Sequence, residues 1–132
     1  MRMRQGREHG AVAVEFALLA PVLIMLLLGI MEFGRAYNVQ ISLTNAAREG
    51  VRVMAISNDP AAARSAVRTA LGTLKPALAD EKIDFAASVP IGAKTCSAAA
   101  QMSVTVSYTL STMTGIAGPF AIRGQGAMLC GG

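Results

Sequence analysis

The chain has 132 residues, of which 53% are hydrophobic and only 5% aromatic, and it contains no tryptophan. Apolar content this high with so few large rings favours a lipid-facing segment over a large packed core. The formal net charge is +4, but the basic residues are scattered and no aromatic side chains interleave them, which argues against a nucleic-acid-binding surface.

The N-terminal segment is a short basic leader followed by an apolar run. Residues 1–10 hold three arginines against one acidic residue, and no charged side chain occurs from Phe16 to Met31. A helix over residues 11–34 would be about 36 Å long, enough to cross a hydrocarbon core of about 30 Å. No A-x-A-like site closes the run, as it would in a cleaved secretory signal. We predict a transmembrane helix over residues 11–34. Arginines flank the helix on both sides, so the distribution of charge does not determine its orientation in the membrane. The compact leader favours a cytoplasmic N-terminus.

Glu15 is an acidic residue inside this apolar stretch. A carboxylate at mid-bilayer costs about 2.5–3.5 kcal/mol on insertion scales, and less near an end of the span. Glu15 is therefore either an ordinary boundary residue at headgroup level or a residue with a specific partner.

Two stretches of sequence carry a family resemblance. Gly10 is followed by AVAVEF, and after the apolar run the chain continues with EFGRAYNVQISLTNAAREGVR, residues 32–52. The first stretch resembles the processing site of type IV-like prepilins. The second is similar to the signature of TadE-like proteins of the tight-adherence (Tad/Flp) pilus system. The resemblance is dense from Gly10 to Arg52 and weak beyond.

The resemblance implies a structural subunit made by proteolytic processing. It implies that a prepilin peptidase cuts the Gly10–Ala11 bond, with Glu15 and Phe16 completing the processing site. It also implies a minor pilin or pseudopilin, which helps to assemble or prime an adhesive filament. Its expected partners are other pilin and minor pilin subunits, the inner-membrane assembly platform and the lipid bilayer. The implied location is the bacterial inner membrane, single-pass with a periplasmic head, from which the subunit can enter a surface pilus.

Cleavage would give Glu15 a partner. The new α-amine of Ala11 is largely cationic at neutral pH, and a buried cation and carboxylate are tolerable when paired. We hypothesise that Glu15 pairs with the Ala11 amine of a neighbouring subunit and so sets the axial register.

Residues 35–57 continue the helix beyond the membrane. Apolar residues recur there at helical spacing. They are Val39, Leu43, Ala47, Val51 and Met54.

Charged residues on this part of the helix have two interpretations. Arg48, Glu49 and Arg52 fit a solvated face, with Glu49 in reach of Arg52 at i+3. The resemblance adds the interpretation that they and Gly50 contact another subunit. Gly50 costs about 1 kcal/mol relative to Ala in a helix interior, which indicates a close-packed neighbour.

Residues 58–132 are predicted to form an exported head. Asp59 and Pro60 begin a second, amphipathic helix that we expect to end near Pro76. Alternating side chains predict strands over residues 83–89, 102–111 and 120–129, the last weakened by two glycines. The expected fold class is α+β: a long N-terminal membrane-spanning helix, a second helix and a small antiparallel sheet, which is the lollipop arrangement of pilins.

Cys96 precedes the clearest strand and Cys130 ends the last one. If these strands pair as a hairpin about residues 113–115, the two cysteines fall nearly opposite each other. We therefore predict a Cys96–Cys130 disulfide, consistent with an oxidising compartment. Two cysteines make neither a convincing zinc site nor a redox motif.

No catalytic, cofactor-binding or metal site is expected, and the chain is not expected to be an enzyme. The single histidine, His9, lies in the predicted leader, and the common catalytic and nucleotide-binding motifs are absent. The acidic group Asp80, Glu81 and Asp84 fits a solvated turn better than a metal site. Two alternatives stay open: a pseudopilin of a related secretion or DNA-uptake system, and a signal-anchored envelope protein whose head binds a ligand. Cleavage separates the second from a pilin, because an anchor keeps its leader arginines.

Overall fold

The computed structural model of the protein describes residues 5–72, 74–75, 77–115 and 118–131, with side chains described from Gly10 onward. The first part of the predicted leader, residues 1–4, and the expected helix end at Pro76 lie outside these residues. The elements are α1 (Gln5–Ser57), α2 (Pro60–Ala70), a 3-10 turn (Asp80–Lys82), β1 (Ile83–Ala87), β2 (Gln101–Leu110) and β3 (Phe120–Leu129). The fold class is α+β, which confirms the prediction.

The chain divides into two compact units, and the division falls inside α1, between Arg35 and Ala36. In the first unit, α1 continues through Pro21. An 18-residue stretch of α1 has a mean hydropathy of 2.6, and none of it is buried within the chain. Leu18, for example, is 72% exposed. A helix of this length and composition fits single-pass membrane anchoring.

The second unit is a three-stranded antiparallel sheet in the order β1-β2-β3. Its core lies on one face, because apolar and polar residues alternate along the strands. β2 buries Met102, Val104, Val106, Tyr108 and Leu110 on that face. Its neighbours in register are Phe85 of β1 and Ile122 of β3, opposite Val104 and Tyr108 respectively.

The last part of α1 packs directly on this apolar face at two glycines of β3. A Cβ at Gly124 would lie 2.2 Å from the backbone carbonyl carbon of Leu43, and one at Gly126 would lie 2.8 Å from that of Ala47. Real Cβ atoms do not approach backbone so closely, so these positions admit only glycine at this helix-to-sheet distance. The glycines that weaken β3 as an isolated strand therefore allow α1 to contact it.

Helix α2 is shorter than the sequence indicated. Asp59 caps it as predicted, with its carboxylate accepting from the Ala61 N–H at 2.8 Å. The helix ends at Ala70 rather than near Pro76. Gly72 follows almost at once, and glycine is a poor helix former; its N–H donates to the Thr69 carbonyl at 3.3 Å as the chain turns away.

β1 also ends earlier than predicted, at Ala87 rather than at Val89. The chain turns back on itself there, since the Ala87 N–H donates to the Ala93 carbonyl at 2.8 Å and the Gly92 N–H donates to the Ala87 carbonyl at 2.9 Å. Val89 is consequently 65% exposed in the loop instead of contributing to the core.

Candidate functional site

The four predicted processing residues lie together near the start of α1, in the first unit. Gly10, Ala11, Glu15 and Phe16 are all exposed. Phe16 is 67% exposed, and apart from the adjoining helix backbone no heavy atom of the described residues lies within 4 Å of the position a Gly10 Cβ would take. The Gly10–Ala11 bond is therefore unobstructed by the described part of the chain. Ala11 and Glu15 are four residues apart in a helix, so they share one face.

The predicted contact residues of α1 lie in the second unit, where Glu49 and Arg52 form a bidentate ion pair. Arg52 donates from Nη2 to Glu49 Oε1 at 2.6 Å and from Nε to Oε2 at 3.0 Å. The hydrogen bond from Arg52 lowers the pKa of the Glu49 carboxyl, and the same bond raises the pKa of the Arg52 guanidinium. Both side chains are substantially exposed, at 42% and 54%. Such a pair organises the surface more than it stabilises the fold.

Arg48 lies one helical turn before Arg52 and is exposed. Its guanidinium has no ion-pair partner in the described part of the chain. The two arginines also line one groove of about 400 Å³ with Val51 and with residues 125–128 of β3. The Arg48 guanidinium, beside the intact Glu49–Arg52 pair, gives this surface a positive charge that suits an anionic partner.

Gly50 has its close-packed neighbour within the chain. A Cβ there would lie 2.4 Å from Val67 Cγ2 of α2 and 3.6 Å from Val104 Cγ1 of β2. Gly50 is buried, so the neighbour that its sequence position indicated is α2. The exposed surface around it consists of Arg48, Glu49 and Arg52.

The predicted disulfide between Cys96 and Cys130 is present, with the two Cα atoms 5.6 Å apart. Cys130 directly follows β3, and its N–H donates to the Ala100 carbonyl at 2.8 Å. Cys96 lies in the loop before β2. The bridge therefore fixes the β1–β2 loop against the end of β3.

Asn58 holds the same loop and was not identified from the sequence. It ends α1 with a φ of 50°, a left-handed conformation that asparagine tolerates at a helix C-terminus. Its side chain accepts from the Cys96 N–H at 2.6 Å and donates to the Cys96 carbonyl at 3.1 Å. Asparagine directly after an apolar-periodic helix is the sequence signal that could have indicated this position.

Two residues of the acidic group at the start of β1 form ion pairs with nearby cations. Asp80 pairs with Arg68 of α2 at 3.0 Å, and Asp84 pairs with Lys94. Among the described residues, no three histidine, cysteine, aspartate or glutamate side chains are grouped so that they could hold a metal ion.

Residues 10–52 match the model of the TadE-like protein family. The match covers about a third of the 132 residues and confirms the resemblance predicted from the sequence. The matched segment begins at Gly10 and ends at Arg52, so it lies entirely within α1. It includes the processing residues and the exposed residues Arg48, Glu49 and Arg52. No curated protein and no solved structure matches the chain.

Proposed function

We propose that this TadE-like chain is a minor pilin or pseudopilin, a structural subunit that helps to assemble or prime a Tad/Flp-type pilus used in adhesion. The observation that carries the proposal is the family match that begins at Gly10 and covers the apolar helix. A subunit that works by packing needs no catalytic group or cofactor, and we propose that the chain is not an enzyme.

The first unit acts as the membrane anchor and the assembly helix. A prepilin peptidase at the cytoplasmic face removes the leader by cutting the exposed Gly10–Ala11 bond. Because this bond lies within α1, the helix must open locally for cleavage, and Gly10 lowers the cost of opening since glycine favours the helix least among the non-proline residues. The anchor that is left after cleavage begins at Ala11.

Glu15 sets the axial position of each subunit relative to its neighbours in the assembled filament. A carboxylate exposed on an apolar helix is unfavourable in lipid, so it favours a state in which a cation neutralises it. The Ala11 amine of a neighbouring subunit is such a cation and appears only after cleavage. Assembly thereby becomes dependent on processing.

The second unit is the exported head, on the periplasmic side. The Cys96–Cys130 disulfide supports this location, because structural disulfides persist in oxidising compartments. Arg48, Glu49 and Arg52 form an exposed surface on the head, and we propose that this surface contacts another pilin or minor pilin subunit or the assembly platform.

The experiment compares Glu15→Gln with Glu81→Gln, the same chemical change at an exposed turn residue. We expect both variants to be cleaved as in the wild type, and Glu15→Gln alone to be depleted from sheared filaments and from cross-linked complexes with other pilins. Cleavage is read as the loss of residues 1–10 by intact mass. Normal incorporation of Glu15→Gln would contradict the register role, and absence of cleavage in the wild type would contradict the pilin function itself.

A further inference from the structure

At the β3 edge of the sheet, no further strand from the described residues lies beside β3. The order β1-β2-β3 places β3 at one side, and its ten residues, Phe120–Leu129, pair only with β2 in the described chain. Main-chain groups on the outer side of such a strand are available to a further strand.

The backbone hydrogen bonds identify which residues direct their main-chain groups outward. In an antiparallel pair, successive residues alternate between bonding the neighbouring strand and facing away from it. The Cys130 N–H bonds Ala100 on the β2 side, whereas the Arg123 carbonyl is on the outer side, where it accepts from Gln40 Nε2 at 2.8 Å. Both observations give the same alternation, in which Gln125 and Ala127 direct their N–H and C=O groups outward. Over residues 125–129, no hydrogen bond from the described residues closes this edge, and beyond them the Gly131 N–H donates to the Ala55 carbonyl at 3.3 Å.

The opposite edge of the sheet is shorter and is closed at its end, and it serves as a comparison. β1 is only five residues long, and the loop that follows it folds back so that both main-chain groups of Ala87 bond the loop. Natural sheets protect their edges in this way, or with charged side chains and proline. From Gln125 to Leu129, β3 has neither a charge nor a proline.

The charges around the open edge are positive. Arg48 and Arg52 line the groove beside residues 125–128, and Arg123 is the charged residue of β3. Glu49 is already bonded to Arg52, and neither Arg48 nor Arg123 forms an ion pair with another described residue, so these two arginines carry the uncompensated charge. A second copy pairing through its own β3 would bring these like charges together, which disfavours self-pairing.

We propose that the β3 edge at residues 125–129 accepts an extended segment with acidic side chains from a partner protein, by β-strand addition. The main chain of that segment bonds the outward groups of Gln125 and Ala127, and an acidic side chain pairs with Arg48. Main-chain bonds of this type supply affinity, and side chains at alternate positions supply specificity. The proposal does not depend on processing or filament assembly.

The test uses the full-length protein in detergent micelles and two fluorescent peptides of equal length, one alternating valine and glutamate and the other alternating valine and lysine. We expect the glutamate peptide to bind with salt-dependent affinity, to protect the Gln125 and Ala127 amides from hydrogen exchange, and to bind more tightly than the lysine peptide. Protection is measured on the wild-type chain, so it does not require a variant to fold. Binding that leaves both amides unprotected would overturn the proposal.

Two variants, each with a matched control, test the location of the site. Ala127→Pro removes one outward N–H, which an edge strand tolerates. This change should lower the affinity for the glutamate peptide about tenfold. Ala121→Pro, at an outward position of the same strand beyond the site, should leave binding unchanged.

Arg48→Glu should reverse the preference between the two peptides, whereas Lys75→Glu, elsewhere on the head, should not. Equal binding by Ala127→Pro and the wild type would overturn the proposal. So would self-association through this edge without binding of the glutamate peptide, because the occupant would then be a second copy.

Discussion

At the scale of single residues, the contact between α1 and β3 depends on two missing side chains. Gly124 and Gly126 face the helix backbone at distances that leave no room for a Cβ. The core of the head is otherwise made of small and medium-sized apolar side chains with two aromatic residues, Phe85 and Tyr108. In so small a core, the separation of helix and sheet determines how well every other residue packs.

Replacement of Gly124 by alanine should therefore destabilise the head by about 1–3 kcal/mol, because the added methyl forces the α1 backbone away from the sheet. Gly118→Ala is the matched control, since apart from its chain neighbours no heavy atom of the described residues lies within 4 Å of that Cβ position. Thermal unfolding of the full-length protein in detergent can be followed by near-ultraviolet circular dichroism of the buried Tyr108. Equal unfolding temperatures for the two variants would contradict the close packing.

The Glu49–Arg52 pair gives a second prediction at this scale. Since Arg52 lowers the pKa of Glu49, the stabilisation from the pair is fully present above the ordinary glutamate pKa and is lost as the pH falls through the lowered value. Carboxyl NMR titration of Glu49 should show a midpoint below the ordinary glutamate value, and Arg52→Gln should return the Glu49 midpoint toward the ordinary range. A midpoint that Arg52→Gln leaves unchanged would show that the pair does not persist in solution.

At the scale of elements, the sequence predicted the strands and the start of α2 well because their signals are local, whereas α1 begins at Gln5, before the predicted start at Ala11. β2 alternates over its whole length, so its position and buried face follow from the pattern alone. Asp59 and Pro60 likewise define where α2 begins. The hairpin register followed from the turn between β2 and β3, and it placed Cys96 near Cys130.

Element ends and glycine functions were predicted less well, because they depend on tertiary contacts. Leu71 and Leu78 continue an apolar face and both are buried, but the chain between them is not part of α2. The periodicity alone could not distinguish a longer helix from a turn that buries the same residues. Gly124 and Gly126 weaken an isolated strand, and only the position of α1 shows why they are required. Gly50 indicated a close neighbour, whose identity as α2 also required the structure.

The disulfide gives a prediction at the element scale. Closing a loop of this size stabilises the head by about 3.8 kcal/mol in the chain-entropy model. Paired replacement of Cys96 and Cys130 by serine should destabilise the head by a comparable amount and increase hydrogen exchange in the loop before β2. Non-reducing mass analysis of the wild-type protein isolated from membranes should show no free thiol. Two free thiols would contradict the pairing.

At the scale of the whole molecule, the two units differ in where their apolar side chains lie. The unit ending at Arg35 is a helix with an exposed apolar surface, and the unit beginning at Ala36 has its own core and a disulfide. An apolar helix of this kind requires lipid or other helices around it. A processed pilin has both in turn, the bilayer before assembly and neighbouring subunits after it.

The most direct test of this account is the N-terminal sequence of the protein isolated from membranes of cells with and without an active prepilin peptidase. We expect the chain to begin at Ala11 when the peptidase is active and to keep residues 1–10 when it is not. A chain that retains its leader arginines in both preparations would contradict the pilin function and leave a membrane-anchored envelope protein in its place.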